Sequence, residues 1–181
     1  MCIFLGILAF LIPLISITVA IMLSPWFNLI NNALSDLGHT LRSNVAPIFN
    51  LGLSLGGFIM GIHATAYISK HNRIIAYELI ILGYSLILVG LFNEVYDRFM
   101  HLHFWVSLLF FLFLFMFLIT YIIIRKTIWP MISVLIGVTA WALHFKYGLP
   151  RGAAIPELIS VISVLPFYIK YLREVSDTIK H

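Results

Sequence analysis

The chain has 181 residues, of which 62% are hydrophobic and only 10% are charged, and its formal net charge is +4. Because a soluble domain carries about 25% charged residues, this chain cannot cover a globular surface with polar groups, and lipid must be the solvent for much of it. Its basic residues occur in short loop groups without a basic stripe, which favours membrane orientation over nucleic-acid binding as their explanation. The single cysteine, Cys2, excludes an intramolecular disulfide and a cysteine-rich metal site.

Six segments of the chain are long and apolar enough to predict transmembrane helices, since a helix needs about 20 apolar residues to cross a hydrocarbon core of about 30 Å. The predicted spans are 3–23, 47–68, 73–92, 103–124, 128–145 and 153–171. They lack the alternation of a membrane β-strand. We therefore expect an all-α integral membrane protein with a single six-helix bundle over 1–173 and a polar cytoplasmic tail over 174–181.

The first predicted helix is interpreted as a retained span. It lacks a charged leader, and its apolar run is longer than the apolar region of a signal peptide. The connection that follows, 24–46, carries apolar residues at three- and four-residue steps, which predicts a short amphipathic helix in the membrane interface. Those apolar residues are Trp26, Phe27, Ile30, Ala33, Leu34 and Leu37.

The second predicted helix contains two pairs of glycines four residues apart, Gly52/Gly56 and Gly57/Gly61. Pairs of small residues at this spacing let helix backbones approach closely in lipid. We expect close packing within the bundle, and the alternative is a homodimer through one of these pairs.

The distribution of Lys and Arg predicts the orientation of the bundle. With six spans both termini share one side, and that side holds seven of the eleven basic residues: Lys70, Arg73, Arg125, Lys126, Lys170, Arg173 and Lys180. The opposite side holds Arg42, Arg98, Lys146 and Arg151. Since basic residues favour the cytoplasmic side, we expect a multi-pass protein of the cell membrane with cytoplasmic N- and C-termini.

Most of the unusual polar residues belong to the other, outer side of this topology. Four of the seven acids and four of the seven histidines are predicted there: Asp36, Glu94, Asp97, Glu157, His39, His101, His103 and His144. Ser35, Asn50 and Asn93 are further candidates for binding. Ionisable groups at the edge of an apolar core are costly unless they are paired, solvated or used, so the outer side is the predicted functional site.

Simpler explanations compete at several of these positions. Glu157 follows Pro156 in a first helical turn, where the helix dipole stabilises a carboxylate without any function. Asp97 and His101 would suit a solvated loop. Asp36 falls near the end of the predicted interfacial helix, where negative charge is disfavoured; it is either functional or bonded to the turn at Gly38.

Histidine and carboxylate together suit zinc or iron, and Asp36, His101 and His103 are the candidate ligands for a metal. No HExxH motif is present, and the ligands would come from separate loops. The sequence thus identifies no cofactor, and it leaves zinc as a possibility.

Several motifs resemble one known family. They are Ala33-Leu-Ser-Asp-Leu-Gly38, Ala46-Pro-Ile-Phe-Asn50 at the start of the second helix, His103 ahead of a Phe-rich run, and Pro156-Glu157. Together they resemble the domain-of-unknown-function family 998, small prokaryotic multi-pass membrane proteins, over nearly the whole chain. The resemblance implies Ser35, Asp36, Gly38, Asn50, His103 and Glu157 as motif positions, and it implies no reaction.

A more distant similarity is to the DRAM autophagy modulators and the GPI-lipid-remodelling membrane proteins, which also place a Ser-Asp-x-Gly loop between their first two helices. That similarity implies a role connected with lipids.

Two functions remain open from the sequence. The first is a protein without enzymatic activity that binds lipid or a membrane partner through a polar cleft on the outer face. The second is a membrane hydrolase or transferase acting on lipid headgroups or esters, with or without a metal. In that case Asp36 or Glu157 would be the general base, and His103 an acid, a base or a ligand. A transporter is disfavoured because the two halves show no repeat.

Overall fold

The structure, a computed structural model, describes residues 1–180, with side chains to residue 178. This part of the chain is all-helical and has no strand. Its six long helices are α1 (Cys2–Met22), α2 (Ala46–His71), α3 (Arg73–Leu91), α4 (Leu102–Arg125), α5 (Pro130–Tyr147) and α6 (Ala154–Lys180). One π-helical turn, Ala64–Ile68, interrupts the α-helical geometry of α2.

Five of these helices, all except α5, are long and apolar enough to cross a membrane. The helix α5 falls short because its 18 residues begin with Pro130 and end in a turn that carries His144 and Lys146. The predicted all-α membrane protein is therefore confirmed, and five of the six predicted spans are confirmed as helices of this kind.

Small residues determine how the first helices pack. The helix α2 lies between α1 and α3. A methyl group added at Gly56 would overlap Pro13 of α1, and one added at Gly57 would overlap the carbonyl oxygen of Gly83 in α3. Added at Gly61 it would meet no atom within 4 Å. Gly56 and Gly57 thus serve the packing within the chain that the sequence predicted, and a homodimer through one of the glycine pairs stays a prediction.

The other helices complete the bundle. The helix α4 packs on α3, α5 packs mainly on α6, and α6 contacts both α1 and α4. The largest fully buried side chains are aromatic residues of α4 and α6, among them Phe117, Tyr121, Tyr168 and Tyr171. Because α6 closes against α1, the two ends of the chain share one core.

The connection between α1 and α2 is not the predicted amphipathic α-helix. Its first part consists of turns, and only Leu34–Gly38 is helical, as a short 3₁₀ segment. Asn28 accepts a hydrogen bond from the backbone N–H of Ile30, and Asn32 accepts one from the N–H of Asn28. Such local bonds from asparagine compete with helical hydrogen bonding, and this explains why the apolar spacing of the segment misled the prediction.

The expected polar tail, 174–181, is part of α6 as far as Lys180, and His181 lies outside the described residues. Glu174 forms an ion pair with Arg125 of α4 at 2.7 Å, and Val175 is completely buried. One polar and one apolar contact therefore hold this turn of α6 on the bundle.

Candidate functional site

The segment before α2 lies across the start of α6. The backbone N–H of Leu34 donates to Oε2 of Glu157 at 2.7 Å. Two further backbone bonds join the same regions: Gly152 donates to the carbonyl of Ile30 at 2.8 Å, and Ala154 donates to that of Asn32 at 3.0 Å. The Leu34–Gly38 segment is thus fixed against the first turn of α6, and Glu157 has a partner that is 123 residues away in the chain.

Three carboxyl groups from three parts of the chain meet beneath this segment: Asp36, Glu94 and Glu157. Asp36 accepts hydrogen bonds from the N–H of Ala33 and the side-chain amide of Asn32, both at 2.9 Å. These bonds close the turn that precedes Asp36, and neither of them involves Gly38.

Glu94 begins a 3₁₀ turn, Glu94–Arg98, between α3 and α4. Its Oε1 accepts a hydrogen bond from the Ser35 hydroxyl at 2.6 Å. Burial raises the pKa of Glu94 to about 7, and the negative charges of Asp36 and Glu157 add to this effect, while the bond from Ser35 opposes it. Near neutral pH this site therefore holds a carboxyl group that can both keep and release a proton.

His103 is buried in the first turn of α4. Its Nδ1 lies 2.8 Å from the carbonyl oxygen of Phe92, and since a carbonyl only accepts, Nδ1 is the nitrogen that carries the proton. Its Nε2 has only the hydroxyl of Ser107 at 3.5 Å, the far limit of a hydrogen bond. One nitrogen thus orients the ring, and the other is almost free.

A cavity of about 440 Å³ opens between the start of α4, the end of α5 and the start of α6. Its polar lining comprises Ser35, Asp97, His103, Ser107, His144 and Glu157, and its aromatic lining comprises Phe104, Phe111, Trp141 and Phe145. A second, apolar cavity of about 80 Å³ extends toward α1, α2 and α3 and shares Ser35, Ser107, Phe111 and Glu157 with the first. These four residues therefore stand where the two cavities meet.

The structure brings together only some of the residues that the sequence singled out. Ser35, Asp36, Glu94, His103 and Glu157 meet at the cavity or directly beneath it, and His144 lines it from α5. The site is therefore assembled from the α1–α2 connection, the α3–α4 turn and the facing ends of three helices.

Other candidates lie to one side. The side chain of His101 is 75% exposed and pairs with Asp97 at 3.7 Å, as expected for a solvated loop. Asn93 accepts from the N–H of Val95 and so begins its own turn, and Asn50 donates to the carbonyl of Gly38 at 2.9 Å. His39 is half-buried and has no partner for its Nδ1. These side chains shape the loops around the site.

The predicted metal ligands do not gather. Among the residues that the structure describes, no three His, Cys, Asp or Glu side chains form a group that could hold a metal ion. The exposure of His101 and the burial of His103 show why, because the two side chains leave their turn in different directions. Zinc stays a prediction without a set of ligands.

Sequence reasoning missed the residues that form most of the cavity wall, chiefly Ser107, Trp141 and Phe145. Ser107 follows His103 by four residues, a spacing that places two side chains on one face of a helix, and that signal would have found it. No comparable signal connects Trp141 with α4, because their proximity depends on how α5 returns along the bundle.

The helices define a multi-pass α-helical membrane protein. Within that class, the chain belongs to the family described as Protein of unknown function (DUF998), whose model matches residues 7–170. The family resemblance of the sequence motifs is thereby confirmed. No curated protein and no solved structure matches the chain.

Proposed function

We propose that this protein binds a membrane lipid in the cavity between α4, α5 and α6. The observation that carries the proposal is the mixed lining of the cavity, which combines ionisable side chains, among them Glu157, with aromatic side chains. Its volume of about 440 Å³ falls within the range of about 300–1,000 Å³ that is usual for small-molecule sites. A lipid has the same division between a polar head and apolar chains.

The lipid would enter from the side of the bundle. Phe104 and Phe145 line the cavity, yet they are 46% and 69% exposed, so they face the surroundings of the helices as well as the cavity. In a membrane those surroundings are acyl chains. The Leu34–Gly38 segment closes the other side, where Leu34 is bonded to Glu157.

We propose further that all six helices cross the cell membrane and that both termini are cytoplasmic. Support comes from the cavity, because His103 at the start of α4 and His144 at the end of α5 line it together. The chain between them must leave this end of the bundle and return to it, and 18 helical residues extend about 27 Å. The excess of basic residues on the side of the termini supports the orientation.

Co-purification of lipid tests the proposed function. In Ser107→Phe a bulky ring fills the cavity, and we expect at least a tenfold loss of lipid retained by the protein in mild detergent, measured by native mass spectrometry. Leu112→Phe is the matched control, since it adds a similar ring on the lipid-facing side of the same helix. Equal retention of lipid by the two folded variants would overturn the proposal.

The alternative function, a hydrolase or transferase acting on lipid headgroups or esters, makes a different prediction for the same preparation. Incubation of the wild-type protein with phospholipid vesicles would release a lyso-lipid or a free headgroup, and the variants Asp36→Asn, His103→Ala and Glu157→Gln would not. Binding without any such product supports the lipid-binding function.

A further inference from the structure

The two histidines that line the cavity present the same nitrogen as an acceptor. His144 has its Nδ1 2.9 Å from the carbonyl oxygen of Pro150, just as His103 has its Nδ1 against the carbonyl of Phe92. Each Nδ1 therefore carries a proton. In the neutral ring Nε2 is then an unprotonated acceptor, and these two nitrogens come from different helices, α4 and α5.

The other polar groups around the cavity also accept rather than donate. Glu157 uses Oε2 for the N–H of Leu34, while its Oε1 has no partner among the described residues. Of the donors nearby, the indole N–H of Trp141 is bonded to Ser160 at 3.0 Å and the hydroxyl of Ser35 to Glu94. The hydroxyl of Ser107 lies 3.5 Å from Nε2 of His103, at the far limit of a hydrogen bond. A molecule that satisfies this site must therefore bring its own donors.

The charge of the site calls for the same kind of molecule. In the described part of the chain neither Asp36 nor Glu157 has an ion-pair partner, whereas Glu94 keeps a proton to about pH 7. Negative groups at the edge of a membrane are costly unless a positive partner or water compensates them. A cation bound in the cavity would supply that partner.

We infer that the lipid bound here carries a primary ammonium head, of the ethanolamine type, with its N–H groups directed to Glu157 and to Nε2 of His103 and His144. This inference rests on the proposed function. A primary ammonium offers three donors and one positive charge to a site that has free acceptors and uncompensated carboxyls.

The phosphate of such a headgroup would also have basic side chains near it. Lys146 follows Phe145 in the chain, and Arg151 precedes Ala153 by two residues; both basic side chains are exposed, next to residues that line the cavity. They suit the phosphate of a phospholipid whose ammonium lies deeper. A quaternary head, which has no N–H, would leave the histidine acceptors without partners.

Competition between headgroups on the wild-type protein tests the inference without any substitution. The purified protein is exchanged into vesicles that contain equal amounts of phosphatidylethanolamine, its mono- and dimethyl derivatives, phosphatidylcholine and phosphatidylglycerol, with matched acyl chains. Native mass spectrometry then measures which lipids are retained. We expect stepwise loss as methyl groups replace N–H donors, to at least about tenfold between phosphatidylethanolamine and phosphatidylcholine, since the loss of a single hydrogen bond to a charged group already costs about that factor.

A substitution at Glu157 tests whether this residue carries the preference for a primary ammonium head. Glu157→Gln keeps an oxygen for the N–H of Leu34 but removes the charge, and we expect the ratio of phosphatidylethanolamine to phosphatidylcholine among the retained lipids to fall towards one, whatever the total amount of lipid retained. Glu174→Gln, which removes a carboxylate at the opposite end of the bundle, serves as the control and should keep that preference. If Glu157→Gln fails to fold, the wild-type methylation series still decides.

The outcomes separate the inference from the proposed function. Retention of phosphatidylglycerol or phosphatidylcholine as strong as that of phosphatidylethanolamine would overturn the ammonium inference and leave lipid binding intact. Retention of no lipid would overturn both. Glycerophosphoethanolamine, which has no acyl chains, distinguishes the source of the headgroup. If it displaced phosphatidylethanolamine at equal concentration, recognition of the ammonium head would stand, but the proposal that the bound molecule is a lipid would be overturned.

Discussion

Glu94 is the residue whose protonation should be visible in the stability of the protein. Its carboxyl keeps a proton to about pH 7 in the folded state, whereas an unperturbed glutamate ionises near 4.5. Between these values the folded state binds more protons than the unfolded state, so the free energy of unfolding falls as the pH rises and becomes level above about pH 7.

The variant Glu94→Gln should lose this dependence on pH. We expect the wild-type protein to lose about 1–2 kcal/mol more than the variant between about pH 5 and about pH 8, after allowance for the water that reaches this half-buried group. Unfolding of both proteins in the same detergent, followed by circular dichroism, measures the difference. Parallel pH curves would show that Glu94 is ionised in the folded protein throughout this range.

The candidate residues also show what a sequence can predict at this scale. The location of Glu157 in a first helical turn was predictable from Pro156, but its bond to Leu34 was not, because the partner is 123 residues distant. His101 and His103 looked equivalent in the sequence. They differ because His101 has left-handed backbone geometry, with φ of 54°, and the chain turns there before α4 begins.

Close packing between helices gives a matched pair of tests at the scale of the elements. Gly57 and Gly61 are four residues apart on α2, but a methyl group at Gly57 would overlap the backbone of Gly83 in α3, whereas at Gly61 it meets open space. We expect Gly57→Ala to destabilise the protein by about 1–3 kcal/mol through overpacking. Gly61→Ala should be neutral or slightly stabilising, because alanine is the better helix former.

Unfolding by denaturing detergent measures both variants against the wild type. Equal stability of Gly57→Ala and Gly61→Ala would mean that α2 and α3 do not pack as closely as the structure shows. The same comparison bears on a homodimer, since a change of oligomeric state in Gly61→Ala alone would place a second chain on that open face.

Apolar length predicted the helices well, and local side-chain bonding explains the main failure. The fourth span, predicted over 103–124, is Leu102–Arg125 in the structure. The segment before α2 has helical spacing of apolar residues, yet Asn28, Asn32 and Asp36 bind backbone groups of their own turns. A hydrophobic pattern shows which side chains are apolar. It does not show that side-chain oxygens compete with helical carbonyls for the backbone N–H groups.

The proposed course of α5 across the membrane is a property of the whole molecule, and cysteine labelling tests it. In a Cys2→Ser background, Thr127→Cys lies between α4 and α5, and Arg151→Cys lies between α5 and α6. If α5 crosses, a membrane-impermeant maleimide added to whole cells should label position 151 and not position 127. Labelling of both positions after the cells are opened is the control for accessibility.

Labelling of the two positions from the same side would mean that α5 does not cross. Labelling of position 127 alone would mean that it crosses in the opposite orientation, with the termini outside. The number of spans and their direction are thus decided by one pair of variants.

The arrangement of helices around one another was beyond the sequence because most of them are apolar on every side. In α1 the side chains turned inward are small, such as Gly6 and Ala9, while Phe4 and Leu11 are 62% and 44% exposed. Hydrophobicity therefore does not mark the inside of this bundle, and small residues do. Their pattern predicts which face is close-packed, but it does not identify the partner helix.

The bonds between the α1–α2 connection and the start of α6 determine when the site can form during synthesis of the chain. The carbonyls of Ile30 and Asn32 and the N–H of Leu34 receive their partners only when residues 152–157 have been made. At about 5–20 residues per second, the 123 residues between Leu34 and Glu157 take about 6–25 s to synthesise. By the end of that interval the emerging chain has five helices and an unfinished chamber, so the proposed ability to hold a lipid arrives with the last helix.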